Sequence, residues 1–342
     1  MSALLRNRRS PAAATRAVLR LVVLAAGLAW SAPPAAADAP DARRGLTIED
    51  LYRIPRPSEV DVSPDGRHLV YALTTRDLPR GRSNTDLYLL AAGGGEPRRL
   101  TWTDERAERS PRWSPRGDAI AFVAPDADAD QLWVLPMAGG EARQVTRFAA
   151  GIADPVWSPD GRTVAVVSRV YPQCGADDAC NRRRLEARRD GPLKVHVADE
   201  LLYRHWTTWA DGRVSHVLLV DVESGAIRDA TPGDRDAPVF SLGGRDVAFT
   251  PDGRELLYTR NPDPLDELAL STNSDVWAVP AGADADGEGQ GARAANLTAD
   301  NRGWDARPRV SPADAGVVAW LQMATPGYEA DLARVVVLDR KT

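Results

Sequence analysis

Histidine and cysteine are scarce in this sequence: of its 342 residues, four are histidine and two are cysteine. His68, His196, His205 and His216 have no serine that spacing nominates as a partner, so structural roles are expected for all four. No Gly-x-Ser-x-Gly occurs. The nearest approach, Ser241-Leu242-Gly243-Gly244, lacks the first glycine, so no serine is presented on a nucleophile elbow and no catalytic residue is assigned. A membrane-spanning run is missing too, since the apolar stretch Leu21–Trp30 falls short of the ~20 residues a spanning helix needs. Basic clustering is weak. Arg182-Arg183-Arg184 and Arg188-Arg189 are interrupted by Glu186 and Asp190 and read as a solvated loop, and the formal net charge of −5 argues against a nucleic-acid partner. The acidic stretches Asp126-Ala127-Asp128-Ala129-Asp130 and Asp284-Ala285-Asp286-Gly287 lack a terminal glutamate at ligand spacing. They are expected to be interstrand loops, with calcium as the alternative, and neither metal nor cofactor is assigned.

What the sequence has in abundance is one turn. Ser158-Pro159-Asp160-Gly161 recurs as Ser63-Pro64-Asp65-Gly66, Ser114-Pro115-Arg116-Gly117, Thr250-Pro251-Asp252-Gly253 and, degraded, Ser311-Pro312-Ala313-Asp314. Proline presets φ for the first corner, aspartate suits the second, and glycine accepts the left-handed conformation that returns the chain. Each turn sits between strand-like runs, and each of the first four copies is followed by a second hairpin closing on a threonine: Thr101, Thr146, Thr231 and Thr298. Two hairpins per repeat make four short strands, and a period of roughly 40 to 50 residues is that of a β-propeller blade. The predicted fold is therefore all-β, a propeller of four-stranded antiparallel blades with about five blades present and the ring incomplete. A sandwich with coincidental turns is the competing architecture.

Residues 1–37 are expected to be a secretory signal peptide: Arg6, Arg8, Arg9, Arg16 and Arg20 precede the apolar run, and Ala35-Ala36-Ala37 suits cleavage before Asp38. A twin-arginine signal and an uncleaved anchor are the alternatives. Without the signal arginines the mature chain is more acidic still. Residues 38–57 form a lead-in in which Thr47 can cap a short helix carrying Glu49 and Asp50 in its first turn. Blades follow at about 58–102, 106–147, 150–232, 237–299 and 305–342.

The third blade carries an insertion at 168–214. It contains Cys174 and Cys180, which in an exported protein read as a small disulfide-closed loop, a metal pair being the rival. Further on, residues 194–206 mix aromatic and charged side chains as a solvated loop seldom does, and they are expected to line something.

These blades, the lead-in Leu46 to Leu51, the segment Tyr203-Arg204-His205-Trp206 followed by Asp211-Gly212-Arg213, and Thr272-Asn273-Ser274-Asp275 together resemble the propeller of prolyl oligopeptidase family serine peptidases, most of all bacterial dipeptidyl and acylaminoacyl peptidases. The resemblance covers essentially the whole mature chain. It implies a gating, substrate-selecting propeller for an exported enzyme, periplasmic or secreted, whose α/β-hydrolase domain carries the catalytic triad outside this sequence. Peptides are the implied partners, with no membrane after signal removal and the oligomeric state open. Aligning the fifth blade on the third stops the chain inside a hairpin, as in a fragment of a longer protein. By the same resemblance a propeller acid holds the substrate's N-terminal ammonium; Glu200 is the candidate, with Tyr203 and Arg204 beside it. The alternative is a TolB-like periplasmic propeller acting as a protein-binding module.

Overall fold

The structure, a computed structural model, describes residues 45–103, 106–127, 129–192, 195–198, 201–239, 245–282 and 294–341. The signal segment 1–37 and the acidic stretch 284–287 lie outside the described residues. Two compact units are present, Met1–Leu51 and Tyr52–Thr342. Of the first, the described part enters helix α1 (Ile48–Arg53). Here Asp50 does the capping: its carboxylate accepts from both the Thr47 N–H and the Thr47 hydroxyl.

The second unit is a succession of antiparallel sheets. Blade one comprises β1 (Arg56–Val62), β2 (His68–Asp77), β3 (Arg82–Ala91) and β4 (Arg98–Arg99); blade two comprises β5 (Arg109–Trp113), β6 (Ala119–Asp126), β7 (Ala129–Pro136) and β8 (Arg143–Gln144). Blade three has β9 (Ala153–Trp157) and β10 (Thr163–Val170), then an arm with a small hairpin, β11 (Arg204–His205) and β12 (Thr208–Trp209), then β13 (Val214–Asp221) and β14 (Ile227–Asp229). Blade four holds β15 (Val247–Phe249), β16 (Glu255–Arg260), β17 (Asp275–Pro280) and β18 (Ala295–Asn296). Blade five shows three strands, β19 (Trp304–Ser311), β20 (Asp314–Met323) and β21 (Arg334–Asp339).

The repeated residues explain the repeated shape. In four turns the hydroxyl of Ser63, Ser114, Ser158 or Thr250 bonds the aspartate of its own turn, Asp65, Asp118, Asp160 or Asp252, and accepts the N–H that opens the next strand. Each closing threonine performs a second shared task. The hydroxyls of Thr101, Thr146, Thr231 and Thr298 accept the N–H of Leu87, Leu132, Val217 and Val276 at 2.8 to 3.0 Å, satisfying a buried third-strand donor that the short fourth strand does not reach.

Successive blades bury opposite faces of each sheet. Val70 and Leu87 of blade one meet Ile120, Phe122 and Trp133 of blade two. Residues one step along the same strands, Val123 and Leu132, turn the other way onto Val164 and Leu218 of blade three. Val217 and Leu219 then meet Leu256 and Tyr258, and Leu257 and Val276 meet Val318 and Trp320. This is the period-2 alternation of a strand with both faces covered, each fully buried leucine contributing roughly 1.5 to 3 kcal/mol.

The basic stretch expected to be a solvated loop is instead helix α2 (Asp178–Asp190). The Asp177 side chain accepts the Cys180 N–H at its N-terminus, and buried Asn181 bonds the Tyr171 N–H and the carbonyls of Gly175 and Asp177. All five of its arginines are exposed as expected, but its start is fixed by polar bonds that leave no apolar stripe in the sequence.

Candidate functional site

The first strand of each blade faces its counterparts: β1 touches β5, β5 touches β9, β9 touches β15 and β15 touches β19. In four of these strands one non-glycine residue adopts left-handed φ: Glu59 at 54°, Ser110 at 51°, Asp154 at 51° and Arg307 at 57°. At each the register slips, so the strand carries a bulge, and in three the next residue is proline, Pro111, Pro155 or Pro308. Such φ values cost an L-residue about 1 to 3 kcal/mol and persist only where surroundings impose them. Here the imposed contact runs between blades. Glu59 accepts the Ser110 N–H at 2.6 Å and its hydroxyl at 2.9 Å, Asp61 accepts the Trp113 N–H at 2.9 Å, and Asp246 accepts the Arg307 N–H at 2.7 Å.

Charged side chains therefore crowd where the first strands converge. Arg245 of blade four lies 3.9 Å from Asp61 of blade one. Burial pushes the Arg112 guanidinium below its ordinary value, helped by Arg245 and opposed by Asp61 and Glu59. Desolvation by the crowded strands raises the Asp154 carboxyl although the residue keeps exposed surface; Arg112 opposes that shift while Glu59 and Asp246 add to it.

A cavity of about 940 Å³ opens beside this cluster, between the third-blade arm and blades four and five. Its polar lining is mixed in charge, Asp154, Asp236, Asp246 and Glu329 with Arg169, Arg213 and Arg245, and Leu202, Trp206 and Trp209 of the arm add apolar surface. A second hollow, beside Thr231 and Arg235, holds about 10 Å³, room for about one water.

The arm is fixed at both ends. Cys174 and Cys180 are joined by a disulfide with Cα atoms 5.4 Å apart. At the other end Asp211 binds Arg213 at 2.7 Å and Arg169 of β10 at 3.7 Å, while Arg169 also donates to the Arg213 carbonyl. Burial works against ionisation of Asp211, but Arg213 and Arg169 outweigh it and hold the carboxyl below its ordinary range. Between these anchors the aromatic residues pack on each other. His196 stacks on Trp209 with centroids 4.4 Å apart, Tyr203 stacks on its ring at 5.9 Å, and the Arg204 guanidinium lies 5.5 Å from the Trp209 centroid. Trp206, at the hairpin tip with φ 46°, is 75% exposed beside the cavity.

Of the residues nominated from sequence, Glu200 lies outside the described residues. Tyr203 and Arg204 are in the arm, but they pack on Trp209, and the arm's share of the cavity wall comes from Leu202, His205, Trp206, Thr208, Trp209 and Ala210. Sequence reasoning missed Asp154 and included Trp206 both in the 194–206 stretch expected to line something and in the family-like segment. The available signal was the recurring pattern of a polar residue before proline, four residues ahead of the serine of three Ser-Pro turns, at Ser110, Asp154 and Arg307. Of the other histidines, buried His216 meets Asp229 at 2.7 Å and the Gly233 carbonyl at 3.0 Å. Asp126 accepts from Gln144 and Arg147, and Asp130 accepts from Arg109.

No family model matches the chain. Dipeptidyl-peptidase 5 of Porphyromonas gingivalis is 28% identical over 311 residues, covering 87% of this chain and 42% of the relative. The uncharacterized peptidase YuxL of Bacillus subtilis is 29% identical over 228 residues, covering 66% of this chain and 32% of the relative. Among solved structures, acylaminoacyl peptidase of Pyrococcus horikoshii superposes with a TM-score of 0.61 at 14% identity, over 84% of this chain and 39% of that one. Fold and comparisons agree on a class: the chain is built of β-propeller-type blades, similar in sequence to dipeptidyl-peptidases and in fold to acylaminoacyl peptidase. Within that class its sequence resembles dipeptidyl-peptidase 5. The chain spans about two fifths of the length of the dipeptidyl-peptidases it matches.

Proposed function

We propose that this chain is the gating and substrate-selecting propeller of an exported serine peptidase that removes dipeptides or acylated residues from peptide N-termini. The observation that carries the reading is the cavity beside the third-blade arm, lined by both carboxylates and arginines and by Trp206 and Trp209. Carboxylates in such a partly desolvated wall suit an N-terminal ammonium through a charge-assisted hydrogen bond, arginines suit peptide carbonyls, and the tryptophans suit peptide side chains. Glu200 is the proposed ammonium acceptor on the strength of the sequence resemblance, Tyr203 and Arg204 order the arm through their contacts with Trp209, and bond cleavage is assigned to a hydrolase domain outside this sequence. A TolB-like docking module has no need of such an arm. Export rests on the arginine-rich leader and is consistent with the Cys174–Cys180 bridge.

The test uses the tryptophans at the cavity. Titrating the purified chain with peptides that have free N-termini is expected to quench their fluorescence saturably, and Glu200→Gln is expected to weaken binding by about 1.5 to 3 kcal/mol, the scale of a hydrogen bond to a charged group. N-acylated peptides should be indifferent to the substitution. Equal loss for both, or no saturable binding, sinks the assignment; hydrolysis of a dipeptidyl reporter by the chain alone sinks the division of labour.

A further inference from the structure

Two blade junctions hold the same unresolved polar feature. At the junction of blades four and five, Asp275 is 1% exposed and Asp305 is 0% exposed, and Asp275 Oδ1 and Asp305 Oδ2 are buried with no hydrogen-bond partner. At the junction of blades one and two, Asp86 is 3% exposed and Glu108 is 2% exposed, with Asp86 Oδ1 and Glu108 Oε2 in the same condition. These residues occupy equivalent places in the repeat. Asp275 and Asp86 open the buried part of a third strand, and Asp305 and Glu108 each lie six residues before the serine of a Ser-Pro turn. The same stitch brings each pair together: the Asp305 N–H donates to the Ser274 carbonyl at 2.7 Å, and the Glu108 N–H donates to the Thr85 carbonyl at 3.0 Å.

A buried carboxylate oxygen without a donor costs on the order of 1 to 3 kcal/mol, more when charged, and two together repel. One proton removes both difficulties. We propose that each pair shares a single proton, Asp275 Oδ1–H donating to Asp305 Oδ2 and Glu108 Oε2–H donating to Asp86 Oδ1, so that both junctions are held by a carboxylic acid–carboxylate hydrogen bond that is made at acid pH and lost as the pH rises.

The remaining bonds say which partner holds the proton. Asp305 Oδ1 accepts from Trp320 Nε1, Gln322 Nε2 and Asn301 Nδ2, donors that oppose the rise burial imposes on its carboxyl, and Asp86 Oδ2 accepts from Arg99 and Asn84, so in each pair this partner is the richer in donors and the better acceptor for the shared proton. Asp275 has Asn296, and Glu108 has the hydroxyls of Thr103 and Thr101 but, among the described residues, no side-chain amide or guanidinium donor. The charged groups nearby are Asp263 at the first junction, which adds repulsion, and Arg99 at the second, engaged by Asp86. Burial, with Asp305 and Asp263 repelling and Asn296 opposing, pushes Asp275 up to about 6. Burial likewise raises Glu108, Thr103 opposing and Asp86 adding to the shift. Among the described residues no three His, Cys, Asp or Glu side chains form a metal-holding group, so a proton suits these pairs better than a cation.

The signs follow from linkage. A carboxyl raised in the folded state binds its proton more tightly there, so its contribution is complete below the unfolded value near 4 and is lost as pH passes the folded value, near 6 for Asp275. Asp275→Asn and Glu108→Gln keep the shape and supply a permanent N–H donor. Thermal unfolding of the chain should show Tm falling by several degrees from about pH 4.5 to 7.5, and the doubly substituted chain should lose that fall while keeping or raising Tm at pH 7.5. An unchanged slope, or an equal loss of stability at every pH, overturns the proposal. Added calcium or EDTA should leave the slope alone; a slope abolished by calcium would place a cation there and overturn it too. Infrared spectra provide a reading that needs no melting transition: a protonated-carboxyl band present at pH 5 and absent from the doubly substituted chain supports the shared proton, and an identical band in both chains refutes it.

Discussion

Blades two and five are written in the same repeat, yet their third strands live in different surroundings. β7 buries Gln131 to Leu135 without a break, whereas β21 has Val335 at 73% and Val337 at 62% exposure. First strands show the same contrast. β5 buries four of five residues and β1 leaves six of seven exposed, Val60 and Val62 among them. An apolar strand is thus buried in this architecture only when a neighbouring blade stands on that face. Valine spacing alone predicts which side chains are able to be covered, and adjacency decides which are.

The largest effect that tests this contrast is a core truncation at matched positions. Leu132→Ala, in the cluster between blades two and three, should cost about 2 to 5 kcal/mol by urea unfolding, and Val337→Ala should stay within about 0.5 kcal/mol. A comparable loss at Val337 would mean that something covers β21 in solution. The open faces should also make the chain self-associate, because exposed apolar strands pair readily. Sedimentation should show less association for Val335→Thr/Val337→Thr, and a monodisperse wild-type monomer would contradict the claim.

Next in size is the closing threonine. Thr146→Val keeps the shape and strands the buried Leu132 N–H, and it removes the hydroxyl that donates to Gln131, for about 1 to 3 kcal/mol. Thr298→Val should cost a similar amount through Val276. If only one of the two matters, the equivalence of the blades fails.

The threonines also show what was legible in the sequence. Turn, strand and threonine recur at fixed offsets because each solves a local problem, how to reverse the chain or satisfy one N–H, so the blades could be read from spacing. The left-handed conformation of Glu59, Ser110 and Arg307 was not legible, since it goes with a bond between neighbouring blades. The acid pairs were hidden for the same reason, Asp86 and Glu108 meeting only once two blades stack. Helix α2 escaped because it is pinned by Asn181 and Asp177 rather than by an apolar stripe. The arm was visible as an insertion, but Tyr203 and Arg204 were nominated where the cavity wall is Trp206 and Trp209.

Trp206 separates stability from binding. Its φ of 46° at the hairpin tip is easy for glycine and costly for tryptophan, and its 75% exposure means that little packing is lost on removal. Trp206→Gly should therefore leave stability unchanged or raise it by about 1 kcal/mol. Peptide binding measured by calorimetry should weaken at the same time. A destabilised variant with intact binding would show the residue to be structural.

The smallest effect contrasts an intact turn with the degraded one. Asp160 is held below the ordinary carboxylate range first by the Ser158 hydroxyl and then by the Arg162 N–H, both short-range hydrogen bonds. Asp314 of blade five is also lowered, but first by Lys341, a charge on an exposed ammonium 2.6 Å away, and then by the Gly316 N–H. Salt distinguishes the two causes, because screening weakens an exposed ion pair and leaves a neutral hydroxyl bond nearly untouched. In a carboxyl-detected NMR titration, Asp314 should move back towards its ordinary value as the ionic strength is raised to about 1 M, and Asp160 should hardly move. A lowered carboxyl contributes stability that is present above its unfolded value and lost as pH falls through its folded one, so the contribution of either turn disappears only below about pH 4. Ser158→Ala should bring Asp160 back up at every salt concentration, and an Asp160 that stayed low in that variant would show that the serine hydroxyl, for all its recurrence along the chain, is not what holds the turn carboxylate ionised.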